Sequence, residues 1–311
     1  MPKAIDTAYV VYQVRDLDRM ESFMHDFGLV TAQRGPDQLA LRGAGPAPVI
    51  HVTRKGPDDR FIGAALQMAS RADLDALAQL PGSSPVEPIL DLPGGGFRVR
   101  TTTPDGIPID GVWGQEPAQP LGLRDPNPFN AGTVKRRINA SLRPKREPGL
   151  VLRLGHFVLH VSDHEATKAW FADRFGLLDS DYLCVPEDEA RVMGTFVRFD
   201  CGEQPVDHHA MLILQADHLG VHHCSFEMQD IDAVFGAHDY LMEKGYRLEC
   251  GVGRHLVGSQ IFDYWRDPFD FRVEHYTDGD VANCHYQPVR YAVPADETTQ
   301  WGMQPPRTFF E

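Results

Sequence analysis

The chain has 311 residues, which at roughly 150 residues per domain sets an expectation of two domains. Hydrophobic residues make up 42% and charged residues 24%, the balance of a packed chain rather than a disordered one. A formal charge of −14 argues against a general nucleic-acid or anionic-membrane binder.

In chain order, TAYVVYQVRD (7–16) alternates like a half-buried strand and leads into a helix-period run, Met20, Phe23, Met24 and Phe27. That run stops at Gly28, placed for a left-handed C-cap. AGPAPVIHVTRK, FIGAALQMAS and GFRVRTTTPDGIPIDGVWG read as short strands, with a helix at RADLDALAQL before the last. Residues 116–150, rich in Pro, Asn and basic residues, have no apolar period and read as a connection draped over a surface. Their basic clusters, Lys135-Arg136-Arg137 and Arg143, Lys145, Arg146, are expected in solvent or against the protein's own carboxylates. The pattern then restarts. LGHFVLHVSD (154–163) overlays the first strand, a helix follows with Ala166, Trp170, Phe171 and Phe175, and Gly176 ends it. Ser162 and Glu165 have the spacing of a capping box at its start.

TFVRFD, HAMLILQ, HHCSFEM and SQIFDYWRDPFDFRVEHY are the later strands, with a helix at DIDAVFGAHDYLMEKG. A tail at 281–311 carries Trp301, Phe309 and Phe310, and its aromatics are expected to dock on the body. Strands and helices mix without strict alternation, so the expected class is α+β: tandem βαβββ modules at 1–115 and 151–280, each an open mixed barrel around a cavity. No apolar run is long enough to span a membrane, and the first residues lack a signal-peptide core. The five cysteines are odd in number and have no C-x-x-C spacing, which points to reduced thiols in a cytoplasm.

The two copies differ in chemistry. His156 stands where the first copy has Tyr9, His222-His223 where it has Ile62-Gly63, and Glu274 where it has Asp110. Two neutral imidazoles and one carboxylate form the ligand set of non-haem Fe(II), which leaves positions open for substrate and O2. Taken singly, each of these residues is as well read as a satisfied polar group. As a set in one copy, on three strands, they read as a metal site. Strand alternation puts His223, Ser225 and Glu227 on one face and His222 and Cys224 on the other.

The chain resembles the type I extradiol ring-cleaving dioxygenases, two-domain members of the vicinal oxygen chelate superfamily. The resemblance rests on Gly253-Arg254-His255, on Tyr264-Trp265-Arg266-Asp267-Pro268 and on Glu274. Asp263 and Asp270 depart from the usual apolar residue and Gly of that pattern, and Asp at 270 tolerates a left-handed backbone. The resemblance implies His156, His223 and Glu274 as ligands, with His223 chosen over His222. It implies His209 as acid/base, and His255 and Tyr264 as partners of the substrate oxygens. His160 is left as structural. The cofactor implied is one Fe(II) per chain rather than Mn(II), with O2 as co-substrate and a catechol-type diol opened to a muconic semialdehyde-type product. The first copy is then a support that offers homo-oligomer contacts. A 4-hydroxyphenylpyruvate dioxygenase-like or glyoxalase-like enzyme, or a non-enzymatic small-molecule binder, are the alternatives.

Overall fold

The computed structural model describes residues 1–310. The first module runs β1 (Ala4–Val14), α1 (Leu17–Phe27), β2 (Val30–Arg34), β3 (Gln38–Arg42), β4 (His51–Lys55), β5 (Arg60–Met68), α2 (Arg71–Ala78), β6 (Glu87–Pro88), β7 (Phe97–Thr102) and β8 (Pro108–Trp113). The second runs β9 (Val151–Val161), α3 (His164–Phe175), β10 (Leu178–Val185), β11 (Asp188–Arg198), β12 (Val206–Asp207), β13 (Met211–Gln215), β14 (Gly220–Met228), α4 (Ile231–Glu243), β15 (Arg247–His255), β16 (Ile261–Arg266) and β17 (Arg272–Thr277). Three short strands follow: β18 (Val281–Ala282), β19 (Val289–Tyr291) and β20 (Thr299–Gly302).

The first sheet has the order β2-β3-β4-β1-β5-β8-β7-β6. β1 and β5 pair antiparallel at its centre, each flanked by a parallel partner, β4 and β8. Each half is therefore a βαβββ unit, and the second sheet repeats the scheme as β10-β11-β13-β9 joined to β14-β17-β16-β15, with β19 and β20 added at the edges. The apolar pattern implied one βαβββ unit and an inserted helix per module. The inserted helix instead opens a second such unit, so the α+β class holds with four units rather than two. Among the strands that pattern leaves out, the largely exposed VTAQR of β2 carries no apolar alternation to announce it.

The helices cover one face of each sheet, and a single core cluster runs through both modules. Val10, Tyr12 and Val14 of β1 join it, as do Phe157, Leu159 and Val161 of β9. On β9 the opposite face carries His156, Val158 and His160, all buried. The seam between modules depends on Gly28. Its φ of 109° closes α1 in the left-handed region, and an added Cβ would lie 2.0 Å from the carbonyl oxygen of Gly149. Next to it, the Phe27 carbonyl accepts a hydrogen bond from His275 Nε2 (2.6 Å), and the two rings stack at 3.7 Å. Truncating Phe27 to Ala in such a close-packed seam costs about 3–5 kcal/mol.

α3 starts one residue later than the proposed box: Asp163 is the N-cap and accepts from the Ala166 amide at 3.0 Å. A carboxylate there also meets the positive end of the helix. Ser162 is drawn away to the first module, where its amide and hydroxyl both donate to Asp105. The connection lies over the second module. Arg124 pairs with Asp230 at 2.6 Å and Arg146 with Glu243 at 2.7 Å, whereas Lys135 and Arg137 donate to backbone carbonyls instead. The tail docks along its length, through β18, β19 and β20 and the buried Phe309, although Trp301 remains 44% exposed beside Arg254.

Candidate metal centre and active-site pocket

Strand register brings the site together. Ser225 of β14 is paired with His156 of β9 on one side and with Glu274 of β17 on the other, and Glu274 is paired with Tyr264 of β16. Residues paired across a sheet share a face, so His156, Ser225, Glu274 and Tyr264 form one row. His223 lies two residues along β14 from Ser225, on the same face. The same row in the first sheet reads Tyr9, Ala65, Asp110 and Arg100. The fold therefore supplies the same positions twice, and the side chains decide which is used. Among the described residues, His156, His223 and Glu274 are the one group of three positioned to share a metal.

Their facing atoms form a nearly equilateral triangle. His223 Nε2 lies 3.3 Å from His156 Nε2, and Glu274 Oε2 lies 3.3 Å from His156 Nε2 and 3.4 Å from His223 Nε2. Two ligand atoms bound at right angles about 2.1 Å from an ion stand about 3 Å apart, so this triangle has the size of three facial ligands. The Glu274 side chain is 0% exposed, yet neither of its oxygens has a hydrogen bond of acceptable geometry. Burial opposes its ionisation, but the imidazoles of His156, His223 and His255 hold it well below the usual carboxylate range. A buried carboxylate without hydrogen bonds is costly unless a cation compensates it. Burial also lowers the His223 pKa to about 4, leaving the neutral imidazole a metal requires. The donor set fits a divalent first-row metal.

A narrow cleft, partly open to solvent, faces this triangle and is lined by His156, His209, His223, His255 and Tyr264. Tyr264 and His255 meet at 2.8 Å (Oη to Nε2). Burial, and then the nearby Glu274, push the Tyr264 phenol well above its usual pKa, so it stays protonated. His255 ends β15, and its Nε2 is 3.4 Å from Glu274 Oε1. His209 precedes β13, and its ring packs 4.2 Å from that of His156. Burial first, then His156, lower its pKa well below the ordinary value.

Two partners have no signal in the local sequence. His208 lies with its Nδ1 3.1 Å from His209 Nδ1 and its Nε2 2.8 Å from Asp181 Oδ2. A carboxylate accepts, so His208 carries its proton on Nε2 and accepts on Nδ1. His209 then donates from Nδ1 and presents an unprotonated Nε2. The expected opposition of His222 and His223 is also corrected. A register shift in β14 between Val221 and His223 leaves His222 as an extra residue, and the two Nδ1 atoms approach to 2.6 Å. His160 stays outside the triangle, against the rings of His218 and His222. Asp270 takes the left-handed backbone expected of it, with φ 72°.

The chain is similar to known proteins in sequence and in fold. Residues 153–275 match the family model described as Glyoxalase/Bleomycin resistance protein/Dioxygenase superfamily. Metapyrocatechase 2 of Cupriavidus necator is 27% identical over 176 residues, which cover 55% of this chain and 50% of that protein. The chain thus spans half the length of the curated relative it matches. The Mn(II)-bound glyoxalase from Novosphingobium aromaticivorans superposes with a TM-score of 0.81 at 25% identity, covering 99% of this chain and 94% of that one. The homoprotocatechuate 2,3-dioxygenase of Brevibacterium fuscum, solved with 3,4-dihydroxyphenylacetate, gives a TM-score of 0.77 at 20% identity, covering 96% and 89%. The fold is that of the two-module vicinal oxygen chelate proteins. The resemblance to extradiol dioxygenases is thus borne out in sequence over part of the chain and in fold, and His156, His223 and Glu274 form a candidate site for one metal. No helix is long and apolar enough to cross a membrane.

Proposed function

We propose that the protein cleaves a catechol-type diol beside one hydroxyl, adding both atoms of O2 to give a muconic semialdehyde-type product. Its metal would be a single Fe(II) held by His156, His223 and Glu274. The observation that carries this reading is the unbonded, buried Glu274 carboxylate facing two imidazole nitrogens, in a pocket that also holds His209, His255 and Tyr264. When bound, the metal supplies open positions for the diol oxygens and O2 and lowers the pKa of a bound hydroxyl.

The remaining work falls to the chain. The Tyr264 phenol and His255 Nε2 hold a substrate oxygen. His209, neutral at rest, takes the diol proton on its free Nε2 and returns it to oxygen derived from O2 as the O–O bond breaks. His208 and Asp181 fix the tautomer that this transfer needs. The division of labour follows the chain: residues 1–115 support, 116–150 connect, 151–280 carry the metal, and the 281–311 tail packs on the body. Five free cysteines accord with a cytoplasmic setting, and the first module offers the surface for a homo-oligomer.

The test is anaerobic reconstitution with Fe(II), followed by O2 and a panel of catechols, scanned for a yellow ring-opened product with matching O2 uptake. A glyoxalase-like isomerisation is the second reading. It is favoured by the Mn(II)-bound glyoxalase, whose fold overlays 99% of this chain. That reading predicts Mn(II)-dependent turnover of hemithioacetals without O2 uptake, and no yellow product.

A further inference from the structure

The walls of the cleft bear on which diol it takes. Val158, Leu183, Phe196 and Leu212 come from the strands of the second sheet, and Phe309 and Phe310 from the tail. The two tail rings meet at 5.2 Å, and Phe309 also packs on the Tyr264 ring at 5.1 Å. The tail therefore touches a residue placed against the substrate. Among the described residues, the polar lining beyond the metal, acid/base and oxygen-holding residues is Gln260 and Thr298, both uncharged, and no Arg or Lys lines the cleft. Arg272, which packs on the lining Phe309, is already engaged: it donates to Glu249 at 2.8 Å, lies over the Phe309 ring at 4.3 Å, and donates to the Phe309 carbonyl.

Resting on the ring-cleavage reading, the geometry points to a catechol whose ring substituent is small, apolar and uncharged, with Phe310 as the residue that sets this preference. A carboxylate carried on the ring would enter an apolar wall with no cation to meet it, beside the buried negative charge of Glu274. Desolvation without a partner opposes that strongly. An alkyl group or halogen would instead bury against the same wall with a gain in transfer free energy. Phe310 is the half-buried member of the wall, so a change there can be read without emptying the core.

The experiment compares 4-ethylcatechol with 3,4-dihydroxyphenylacetate on the Fe(II)-loaded full chain, by kcat/KM from the ring-opened product. It is then repeated with Phe310→Arg and Phe310→Ala. The wild type is expected to prefer the ethyl compound by about 100-fold, the difference lying mainly in KM. Phe310→Arg should shrink that ratio by about tenfold or more, because it supplies a cation. Phe310→Ala should leave the charge preference and admit the bulkier 4-tert-butylcatechol, whose kcat/KM then rises relative to the ethyl compound. A wild-type ratio within tenfold of one, or in favour of the carboxylate, overturns this inference alone. A ratio unmoved by Phe310→Arg overturns the role of Phe310. No product from any diol overturns the ring-cleavage reading together with this one.

Discussion

The Nδ1 atoms of His222 and His223 lie 2.6 Å apart, close enough that one must donate to the other. For His223 to offer Nε2 to a metal, its proton must sit on Nδ1 and point at His222. His222 then carries its own proton on Nε2, where the Phe309 carbonyl accepts it. Arg272, which also stands against that nitrogen and can only donate, must then turn its N–H groups to the carbonyl and to Glu249. The same carbonyl receives Arg272 at 3.3 Å. The tautomer of the ligand thus depends, through its neighbour, on whether His222 Nε2 donates to the tail carbonyl or accepts from Arg272. Replacing such an outer partner typically costs 10–100-fold in metal affinity. His222→Leu is expected to weaken metal binding by about that factor, measured by competition with a chelator, with the far-ultraviolet circular dichroism unchanged. Wild-type affinity in this variant would show that His223 is oriented by something else.

Acid/base work by His209 makes a separate prediction. Its Nδ1 faces His208, which in turn faces Asp181. Asp181 also accepts from the amide of Val289 (2.7 Å) and from Tyr286, so its position is well held. His209→Phe is expected to lower kcat by about 10²–10⁴-fold while metal content stays at wild type. Asp181→Asn keeps the shape but can donate to His208 Nε2, which would turn the relay around. It is expected to lower kcat by about tenfold or more, with little change in metal content. Full turnover in His209→Phe would assign the proton transfer elsewhere.

The metal also reports on stability. The metal-free chain must keep the Glu274 carboxylate buried without a hydrogen bond. A metal that binds the folded chain alone stabilises it by about 2.7 kcal/mol at a concentration 100 times its Kd. The unfolding midpoint should rise by about 5 °C at that concentration, in proportion to a stoichiometry of one metal per chain. His156→Ala should bind none and show no rise. Two metals per chain would mean that Tyr9 and Asp110, the matching places in the first sheet, take part after all.

Much of this was legible because duplication leaves a signature that composition cannot hide. The paired endings Phe27-Gly28 and Phe175-Gly176 mark two αL helix stops, and both glycines take positive φ. The equivalence of His156 with Tyr9 and of Glu274 with Asp110 survives in strand register, because register preserves spacing. What escaped depends on register faults and distant pairs. Alternation alone places His222 and His223 on opposite faces, and the extra residue in β14 defeats it. Asp181 lies 27 positions before His208, and nothing local links a β10 carboxylate to a histidine ahead of β13. Asp163 displaced Ser162 as the cap because a tertiary partner, Asp105, claimed the serine. Local motifs give way where a long-range bond competes for the same side chain.

Asp267 ties stability to pH. It is 6% exposed, its Oδ1 accepts from the amides of Phe269 (2.8 Å) and Phe271 (2.9 Å), and its Oδ2 has no partner. Burial outweighs those two amides and pushes its pKa up to about 7. In the unfolded chain the same carboxyl titrates near ~3.9. Below about pH 4 both states hold the proton, so the contribution to stability is fully present. As pH rises from there to about 7 the unfolded state releases its proton while the folded state keeps it, and stability falls across that window. Asp267→Asn cannot lose a proton, and its carbonyl can still accept from both amides. The difference in urea midpoint between the metal-free wild type and this variant should therefore change between pH 4 and 7 in favour of the variant, and level off above 7. Using metal-free protein on both sides removes the ligands' own titration from the difference. Parallel curves across the window would mean that Asp267 is ionised in the folded chain and that its two backbone donors, rather than its burial, govern it.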